Sequence, residues 1–500
     1  KHRATLDQIT DMLRRDPARS GHSAGRSNLT APTLRWRHYL GGSVRPDQFA
    51  VADADSDGVT DLVYLAGFKV LCKHADDTVV WETPPLEAQS LVGVMDLNGD
   101  SRPEVVLTAS GGNVLVLDGA TGAVRWEMPT ELRGNTSSVR AVDLDGDGDL
   151  DLYVGECVNN PHAAYGFDFS PGLATPRELF RLDAPTNVCG TDADAFIDLD
   201  GDRRPEVLML TGGYDRIRVF DTRTRTERAT VMAPSSGPWS AFTTLLVRQL
   251  DADPTPEVIA LSNGFARGST TFGARRVALL DADPSGALQV RWEANADDLE
   301  DGAAAMPGDA MGDFDGDGTA EVGMSFLRAS DRQWRVEVRN AQDGTLRARL
   351  DDHELVGTLT AHDGRPALLA MQSDRALVAL RLEGSTLRTL WRLEGLRPVQ
   401  RIDPTRAPVE RLSARPVVFD ADDSGQSRLM LLAPFDPALP PEARIVTALE
   451  AWSVAAAPQR TARFDAPAGA TVTLTQLGAR VSRPFTQPLV VTSDGYLLAL

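Results

Sequence analysis

The chain has 500 residues, of which 42% are hydrophobic and 24% are charged, so it is long enough to bury a large core. Its 51 basic and 71 acidic residues give a formal net charge of −20. Because nucleic acids and anionic membranes are bound through basic patches, this charge argues against both as partners. The sequence also lacks the run of about 20 apolar residues that a transmembrane helix requires.

The first 30 residues are predicted to be separate from the rest of the chain. Thr5 and Gln8 have the spacing of a helix capping box, and apolar side chains then recur at helical intervals as far as Leu13. The following residues are rich in Ser, Gly, Arg and Pro, which is typical of a linker. We therefore expect a helix and linker over residues 1–30, packed on the rest of the protein or docked to a partner, and one β domain over residues 31–500.

A nine-residue acidic pattern recurs along the β domain. It carries Asp, Asn or Glu at positions 1, 3, 5 and 9 and Gly at position 4 or 6, and each copy precedes an apolar segment. Internal similarity at this spacing is typical of stacked repeats or propeller blades. Five copies are well formed and begin at Asp53, Asp96, Asp143, Asp198 and Asp313.

Other units carry an eroded form of the pattern. The segment from Asp251 to Glu257 reads as two residues short, and the segment that begins at Asp420 has Arg428 where the last carboxylate is expected. Two further units, near residues 359 and 478, keep the strand pattern without the full loop. The count is nine units, with eight as the alternative if one unit is irregular.

Each unit is predicted to form four short antiparallel strands separated by turns rich in Gly and Asp. In the second unit these strands are expected at residues 90–95, 105–108, 113–117 and 124–128. The chain ends resemble parts of one unit, with residues 489–491 and 495–500 as second and third strands and residues 34–39 as the fourth. Their pairing would close a ring and remove exposed sheet edges. The predicted fold class is therefore all-β, a single β-propeller of four-stranded antiparallel blades.

Several buried side chains can be predicted from the same pattern. Tryptophan recurs in the fourth strand and is expected to be a core aromatic at Trp81, Trp126, Trp292 and Trp391. Three cysteines are too few for a disulfide-dense scaffold. Cys72 lies in an apolar run and is expected to be a buried free thiol. Cys157 and Cys189 lie in the same unit, so they can form one bridge or stay free.

The acidic loops have the composition of cation sites. Oxygen ligands at positions 1, 3, 5 and 9, with a backbone carbonyl at position 7, suit calcium, which takes six to eight oxygens. Zinc would favour His or Cys, and these loops contain neither. An EF-hand starts similarly but requires Glu at position 12 and flanking helices. The EF-hand is excluded because position 12 falls in apolar strands, at Tyr64, Leu107, Val154, Met209 and Met324.

These loops and the strands after them resemble the FG-GAP/VCBS repeats of integrin α-subunit propellers and of many bacterial surface proteins. The resemblance is clearest in the copy at residues 311–326, MGDFDGDGTAEVGMSF. It extends over most of residues 45–435. It implies a β-propeller that holds calcium, at about five sites, in the loop between the first two strands of a blade. Occupancy of the eroded loops at 251 and 420 stays open. The ligands implied by the resemblance are Asp53, Asp55, Asp57, Asp61, Asp96, Asn98, Asp100, Glu104, Asp143, Asp145, Asp147, Asp151, Asp198, Asp200, Asp202, Glu206, Asp313, Asp315, Asp317 and Glu321.

The sequence contains no nucleophile elbow, H-E-x-x-H, P-loop or Rossmann fingerprint. Long loops with aromatic side chains are expected on the face opposite the acidic loops, where such loops commonly bind partners. The candidate partner-binding residues are Trp239, Phe265, Phe272 and His162, the last in the loop between a second and a third strand.

The expected function is a calcium-stabilised, non-enzymatic scaffold that binds a protein or a glycan, alone or as a subunit of a larger surface assembly. Since the sequence begins at Lys1 without methionine, we expect an exported bacterial protein that is secreted, periplasmic or attached to the cell surface. Two alternatives are a polysaccharide lyase built on the propeller and a quinoprotein-like dehydrogenase. The second rests on residues 114–128, VLVLDGATGAVRWEM, which resemble the outer turn of quinoprotein-dehydrogenase blades.

Overall fold

The computed structural model consists of β-strands, turns and irregular loops, with no α-helix in the residues that it describes. Those residues fall into two compact units, Asp47–Asp297 and Asp298–Leu500, and the second also includes the N-terminal strand. The structure describes residues 36–499 except for 41–47, 75, 111–112, 129–135, 159–161, 172–174, 184–187, 190–194, 212–215, 233–241, 252, 254, 263–274, 284–285, 297–298, 306–309, 329–330, 332, 375, 395–416, 421–426, 433–447, 455–456, 466–471, 481–482 and 493–495.

The first unit contains repeats 1–5, each a set of consecutive antiparallel strands. Repeat 1 is β2 (Phe49–Ala52), β3 (Asp61–Ala66), β4 (Lys69–His74) and β5 (Val79–Glu82). Repeat 2 is β6 (Ala88–Met95), β7 (Glu104–Ala109), β8 (Val114–Asp118) and β9 (Val124–Met128). Repeat 3 is β10 (Thr136–Val142), β11 (Asp151–Val158), β12 (His162–Asp168) and β13 (Arg177–Asp183), and β14 (Val188–Cys189) follows it. Repeat 4 is β15 (Ala195–Ile197), β16 (Glu206–Thr211), β17 (Arg216–Asp221) and β18 (Thr226–Met232). Repeat 5 is β19 (Phe242–Arg248), β20 (Glu257–Ser262), β21 (Arg275–Ala282) and β22 (Leu288–Ala296).

The second unit contains repeats 6–9. Repeat 6 is β23 (Leu299–Ala305), β24 (Met311–Gly312), β25 (Glu321–Arg328), β26 (Trp334–Asn340) and β27 (Leu346–Asp351). Repeat 7 is β28 (His353–Thr360), β29 (Pro366–Gln372), β30 (Leu377–Glu383) and β31 (Thr386–Leu393). Repeat 8 is β32 (Val417–Asp420), β33 (Ser427–Leu432), β34 (Ala448–Ser453) and β35 (Gln459–Asp465). Repeat 9 is β36 (Val472–Arg480), β37 (Arg483–Thr492), β38 (Tyr496–Ala499) and β1 (Trp36–Tyr39).

The strand order confirms the four-stranded antiparallel repeats that the sequence predicts. In repeat 2 the observed strands lie within two residues of the predicted bounds. The predicted pairing of the chain ends is also present, because β1 lies beside β38 in the order β1-β38-β37-β36. The described strands form eight sheets, one of which holds repeats 3 and 4 joined through β14. The count of nine blades and the closure of a ring stay predictions.

The hydrophobic core lies between neighbouring repeats within each unit. Inner strands are apolar on both faces, as in β7, whose six residues are all buried, because each sheet is covered on both sides. Each of the described core clusters takes side chains from two consecutive repeats, with Leu107 and Trp81 in the cluster of repeats 1 and 2 as an example. The clusters join repeats 1 to 5 in the first unit and repeats 6 to 8 in the second.

Trp81 shows how the fourth strand of one repeat contacts the next. Its ring is buried, and its Nε1–H donates a hydrogen bond of 2.7 Å to the carbonyl of Gly119 in repeat 2. Gly122 has φ +69° and a Cβ there would lie 2.4 Å from the Trp81 ring, so a larger residue does not fit. Trp292 and Trp391 are buried as well, which confirms the prediction of core aromatics for these three positions.

The cysteines lie where the sequence analysis expects them. Cys72 is a fully buried free thiol, and burial raises its pKa, so the prediction for it is confirmed. Cys157 on β11 and Cys189 on β14 are directly opposite each other in the antiparallel register. Opposite residues of such strands have Cα atoms about 4.5–5.5 Å apart, a range that a disulfide can span. A bridge between them stays a prediction.

Some predicted features lie outside the described residues or differ from expectation. The N-terminal helix and linker, Trp239, Phe265 and Phe272 all lie outside the described residues. The expectation that His162 lies in a loop is wrong, because this residue begins β12 and pairs with Asp183. No helix in the described residues is long and apolar enough to cross a membrane.

His353 is a buried histidine with one hydrogen-bonded nitrogen. Its side chain is 5% exposed, and its Nδ1 lies 2.7 Å from the carbonyl oxygen of Asp351, to which an Nδ1–H donates. Its Nε2 is buried and has no hydrogen-bond partner in the described part of the chain. Burial lowers the pKa of His353 because the protonated ring would place an unpaired N–H and a charge in the core.

His353 is expected to make the protein less stable in acid. Because its folded-state pKa is lowered, the unfolded state binds more protons once the pH falls through about 6.5, the ordinary histidine value, and stability is lost below that pH. In His353→Asn the melting temperature should fall less steeply over this range than in the native protein. Thermal melts at several pH values test this, with His362→Asn at an exposed histidine as the control. Equal slopes in all three proteins would contradict the prediction.

Candidate metal centres

The acidic loops connect the first and second strands of repeats 1–6, and strand register fixes their numbering. In repeat 1 the last residue of the first strand, Ala52, pairs with Asp61 at position 9, which leaves eight loop residues between them. The same rung is formed by Met95 with Glu104, by Val142 with Asp151 and by Gly312 with Glu321. Equivalent loop positions are therefore defined by the strand register as well as by the sequence.

Each loop is held by the same hydrogen bonds between carboxylates and backbone. The position-9 carboxylate accepts a hydrogen bond from the position-2 N–H, as in Asp61 with Ala54 at 2.9 Å and Glu321 with Phe314 at 2.8 Å. The position-1 carboxylate accepts from the position-6 N–H, and that of position 5 from the position-7 N–H. Positions 4 and 6 have positive φ, as in Gly146 at 78° and Gly148 at 96°, which favours glycine.

These bonds turn the carboxylates toward one point. At positions 1, 3 and 9, one oxygen from each residue lies within 4.8 Å of the others in the loops that begin at Asp53, Asp143 and Asp198. The position-9 residue is buried in every case, with exposures of 0–2%. Burial raises the pKa of Glu104 and Glu321 to about 7 and that of Asp151 to about 8. At neutral pH a proton or a cation must therefore accompany these carboxyl groups.

Two orphaned oxygens show that the loops fit a bound cation. Oε1 of Glu321 is buried without a hydrogen-bond partner among the described residues, while its Oε2 is used by the backbone. Oδ1 of Asp53 is also buried and has no hydrogen-bond partner among the described residues. An ionised oxygen in that state is costly unless a cation contacts it. The donors are carboxylate oxygens on one side of a tight loop, which is the ligand type that calcium prefers.

The structure corrects the numbering of the two eroded loops. In repeat 5, Arg248 pairs with Glu257, so the loop has its full length and starts at Gln249. The prediction that it is two residues short is wrong, because Asp251 stands at position 3. In repeat 8, Asp420 pairs with Ser427, so this loop is the one that is two residues shorter. Ser427, not Arg428, stands where the last carboxylate was expected.

Sequence reasoning missed an arginine beside most acidic loops. In four repeats a β-bulge in the fourth strand carries Arg, whose guanidinium reaches the loop carboxylates; these are Arg125, Arg228, Arg291 and Arg347. Arg228 Nη1 lies 2.9 Å from Asp200 and 2.7 Å from Glu206. The pair Arg-Trp at residues 125–126 and 291–292 was the available signal, but the bulge that aims the side chain is visible only in the register.

In repeat 1 a histidine replaces the arginine. His74 lies opposite Asp61 on β4, with Nδ1 2.7 Å from the Asp61 carboxylate and Nε2 3.9 Å from that of Asp57. Asp55, Asp57 and His74 form a further group that could hold a metal ion. The third strand therefore also contributes side chains to the loop carboxylates.

Residues 96–154 match the FG-GAP-like repeat family, which confirms the resemblance that the acidic loops suggested. None of the curated proteins compared with the chain matches it. Among solved structures, the biofilm matrix protein Bap1 of V. cholerae is 13% identical, covering 84% of this chain and 90% of that chain, with a TM-score of 0.46. BamB from Moraxella catarrhalis is 11% identical over 93% and 96%, with a TM-score of 0.40.

Quinohemoprotein alcohol dehydrogenase from Comamonas testosteroni is 13% identical, covering 87% of this chain and 78% of that chain, with a TM-score of 0.43. Because all three TM-scores are below 0.5, we draw no conclusion about function from these likenesses.

Arg228 is expected to stabilise its loop when no divalent cation is present. Its removal leaves the buried Glu206 carboxylate without its charged partner, so Arg228→Gln should lower the free energy of unfolding by about 2 kcal/mol in chelator. Urea denaturation measures this difference. Arg388→Gln is the matched control, since the pair of Arg388 with Glu383 has side chains 60% and 46% exposed and should change stability by less than about 0.5 kcal/mol. Equal effects of the two variants would contradict the role of Arg228.

Proposed function

Since the chain carries an FG-GAP-like repeat at residues 96–154, we propose that it is a calcium-stabilised β-propeller that serves as a non-enzymatic interaction scaffold. The observation that carries this proposal is the shared geometry of the acidic loops, each with a buried position-9 carboxylate at the same rung of its sheet. The propeller has nine blades, with β1 completing the last, and it works outside the cytoplasm, where calcium is abundant. Its bacterial, secreted or surface-attached location is part of the proposal.

Calcium at five loops is proposed to act as a structural ion. It joins the first and second strands of each repeat by neutralising carboxylates that burial disfavours as free ions. Binding to the folded state alone stabilises it by RT ln(1+[L]/Kd). For a Kd of roughly 10⁻⁴–10⁻³ M at millimolar calcium, each site contributes about 1 kcal/mol.

Chelation is expected to lower the melting temperature by several degrees, because the contribution of all sites is lost together. Thermal melts of the full chain in calcium, in chelator, and in chelator followed by excess calcium measure the loss and its recovery. Magnesium added to the chelated protein should restore less stability, because it demands a tighter octahedral site. A melting temperature that is the same in calcium and in chelator would remove the metal from the proposal.

The proposed partner is a protein or a glycan bound by the face opposite the acidic loops. The proposed anchors are Trp239 and Phe265, which the sequence predicts to lie in long connections on that face, and Phe272 and His162 are the further candidates. The loop between β3 and β4 on that side presents Phe68, which is 74% exposed.

Binding is expected to fall at least tenfold in the double variant Trp239→Ala, Phe265→Ala, because truncation of an aromatic anchor commonly costs about 2 kcal/mol or more. A glycan array and surface-protein fractions from the source organism, probed with native and variant full chains, measure this. Leu346→Ala is the control, because this exposed apolar residue begins a fourth strand on the side of the acidic loops. Equal binding by native and double-variant chains would remove these residues from the partner site.

A further inference from the structure

The loop of repeat 5 has lost one of the four side-chain ligand positions. Gln249 stands at position 1, and Pro254 at position 6 has no N–H to donate to it. The Gln249 amide instead donates to the carbonyls of Asp251 and Asp253, at 2.9 and 2.6 Å. The rest of the frame is intact, because Glu257 accepts from the Leu250 N–H at 2.7 Å and Asp251 from the Asp253 N–H at 3.0 Å. Positions 3, 5 and 9 are therefore acidic and placed as in the other loops.

A carboxylate from the third strand lies beside the acidic residues of this loop. Asp281 follows Leu280 on β21, and Leu280 pairs with Val258, the neighbour of Glu257. Single oxygens of Asp251, Asp253 and Asp281 lie within 4.8 Å of one another. In repeat 4 the corresponding residue, Asp221, accepts hydrogen bonds from the N–H groups of Arg223 and Thr224 and so caps the following turn. Asp281 is turned toward the loop instead.

A buried oxygen of Glu257 is a second, independent indication that a cation binds here. It is 0% exposed, and its Oε1 is buried without a hydrogen-bond partner in the described ranges. Oδ1 of Asp281 is also buried and lacks a partner there. One nitrogen, Arg291 Nη1, lies 2.8 Å from Asp251, 3.2 Å from Asp281 and 3.8 Å from Glu257. Carboxylate oxygens from three elements thus surround one point where a cation fits.

We propose that repeat 5 binds a divalent cation, calcium by its all-oxygen ligands, through Asp251, Asp253 and Glu257, with Asp281 in place of the missing position-1 carboxylate. This inference rests on the proposed cation role of the acidic loops and adds a site that the loop pattern does not contain. Arg291 vacates the point when the ion binds, as the bulge arginines of repeats 2, 4 and 6 must do at theirs. Its side chain is 32% exposed, so it can turn outward into solvent.

The number of calcium ions bound by the full chain tests the proposal. Equilibrium dialysis against millimolar calcium, followed by metal analysis, compares the native chain with Asp281→Asn and with the matched control Asp221→Asn. We expect Asp281→Asn to bind one ion fewer per chain and Asp221→Asn to bind the native number. Asp253→Asn should also bind one ion fewer. Because Asp253 is exposed, this variant is expected to fold, and it therefore tests the proposal even if Asp281→Asn does not fold.

The outcomes separate this proposal from the general one. If the native chain binds calcium and both Asp281→Asn and Asp253→Asn bind the same number, repeat 5 holds no ion, and Arg291 is its permanent cation. That result overturns the inference and leaves the other loops untouched. If the native chain binds no calcium at all, the proposed function fails, and the inference fails with it.

Discussion

A carboxylate buried at the first rung of each second strand is the constraint on which the acidic repeats depend. In repeats 1–6 this residue is 0–2% exposed, and one oxygen of its carboxylate accepts a hydrogen bond from the backbone N–H of loop position 2. That bond closes the loop and fixes where the strand begins. The other oxygen of Glu257 and of Glu321 is buried without a hydrogen-bond partner among the described residues, and a buried charge without a partner costs several kcal/mol. Each of these carboxyl groups is therefore accompanied by a proton or by a nearby cation.

Under the proposed function, two sources of positive charge can neutralise these carboxylates. The bulge arginines are part of the chain, so the loops of repeats 2, 4, 5 and 6 keep a counter-charge in the absence of metal ions. A guanidinium is a planar donor that approaches the carboxylates from one side, whereas calcium is surrounded by six to eight oxygens. An ion can therefore satisfy positions 1, 3, 5 and 9 together, which an arginine from one side cannot. Under the proposed function, the arginine holds the loop near its final shape before the ion binds, and the ion then completes the coordination.

The sequence predicted the strands, the loops and the joining of the chain ends because each leaves a local signal. Alternation between acidic turns and apolar segments marks the repeats, and the isolated strand pattern of residues 34–39 matches the strand missing after Tyr496–Ala499. It did not predict the numbering of loop positions in repeat 5, because position 1 was assigned to the first aspartate, Asp251. The true first position, Gln249, is not acidic, and it is identified only by the pairing of the preceding residue, Arg248, with Glu257. Asp281 and the bulge arginines were missed because they come from other strands, and only the strand register brings them to the loop.

Repeats 7 and 8 show what replaces the acidic loop where it has been lost. In repeat 7 the short turn keeps one carboxylate, Asp363, and Arg381 of the third strand donates to it, which lowers the pKa of Asp363 to about 2. In repeat 8 the buried carboxylate is Glu450, also on the third strand, and Arg460 and Arg463 lie 2.9 and 3.2 Å from it. In both repeats the chain supplies the whole counter-charge. Under the proposed function, the dependence on dissolved calcium therefore belongs to repeats 1–6, because within the described part of the chain those are the repeats whose first loop brings several carboxylates together.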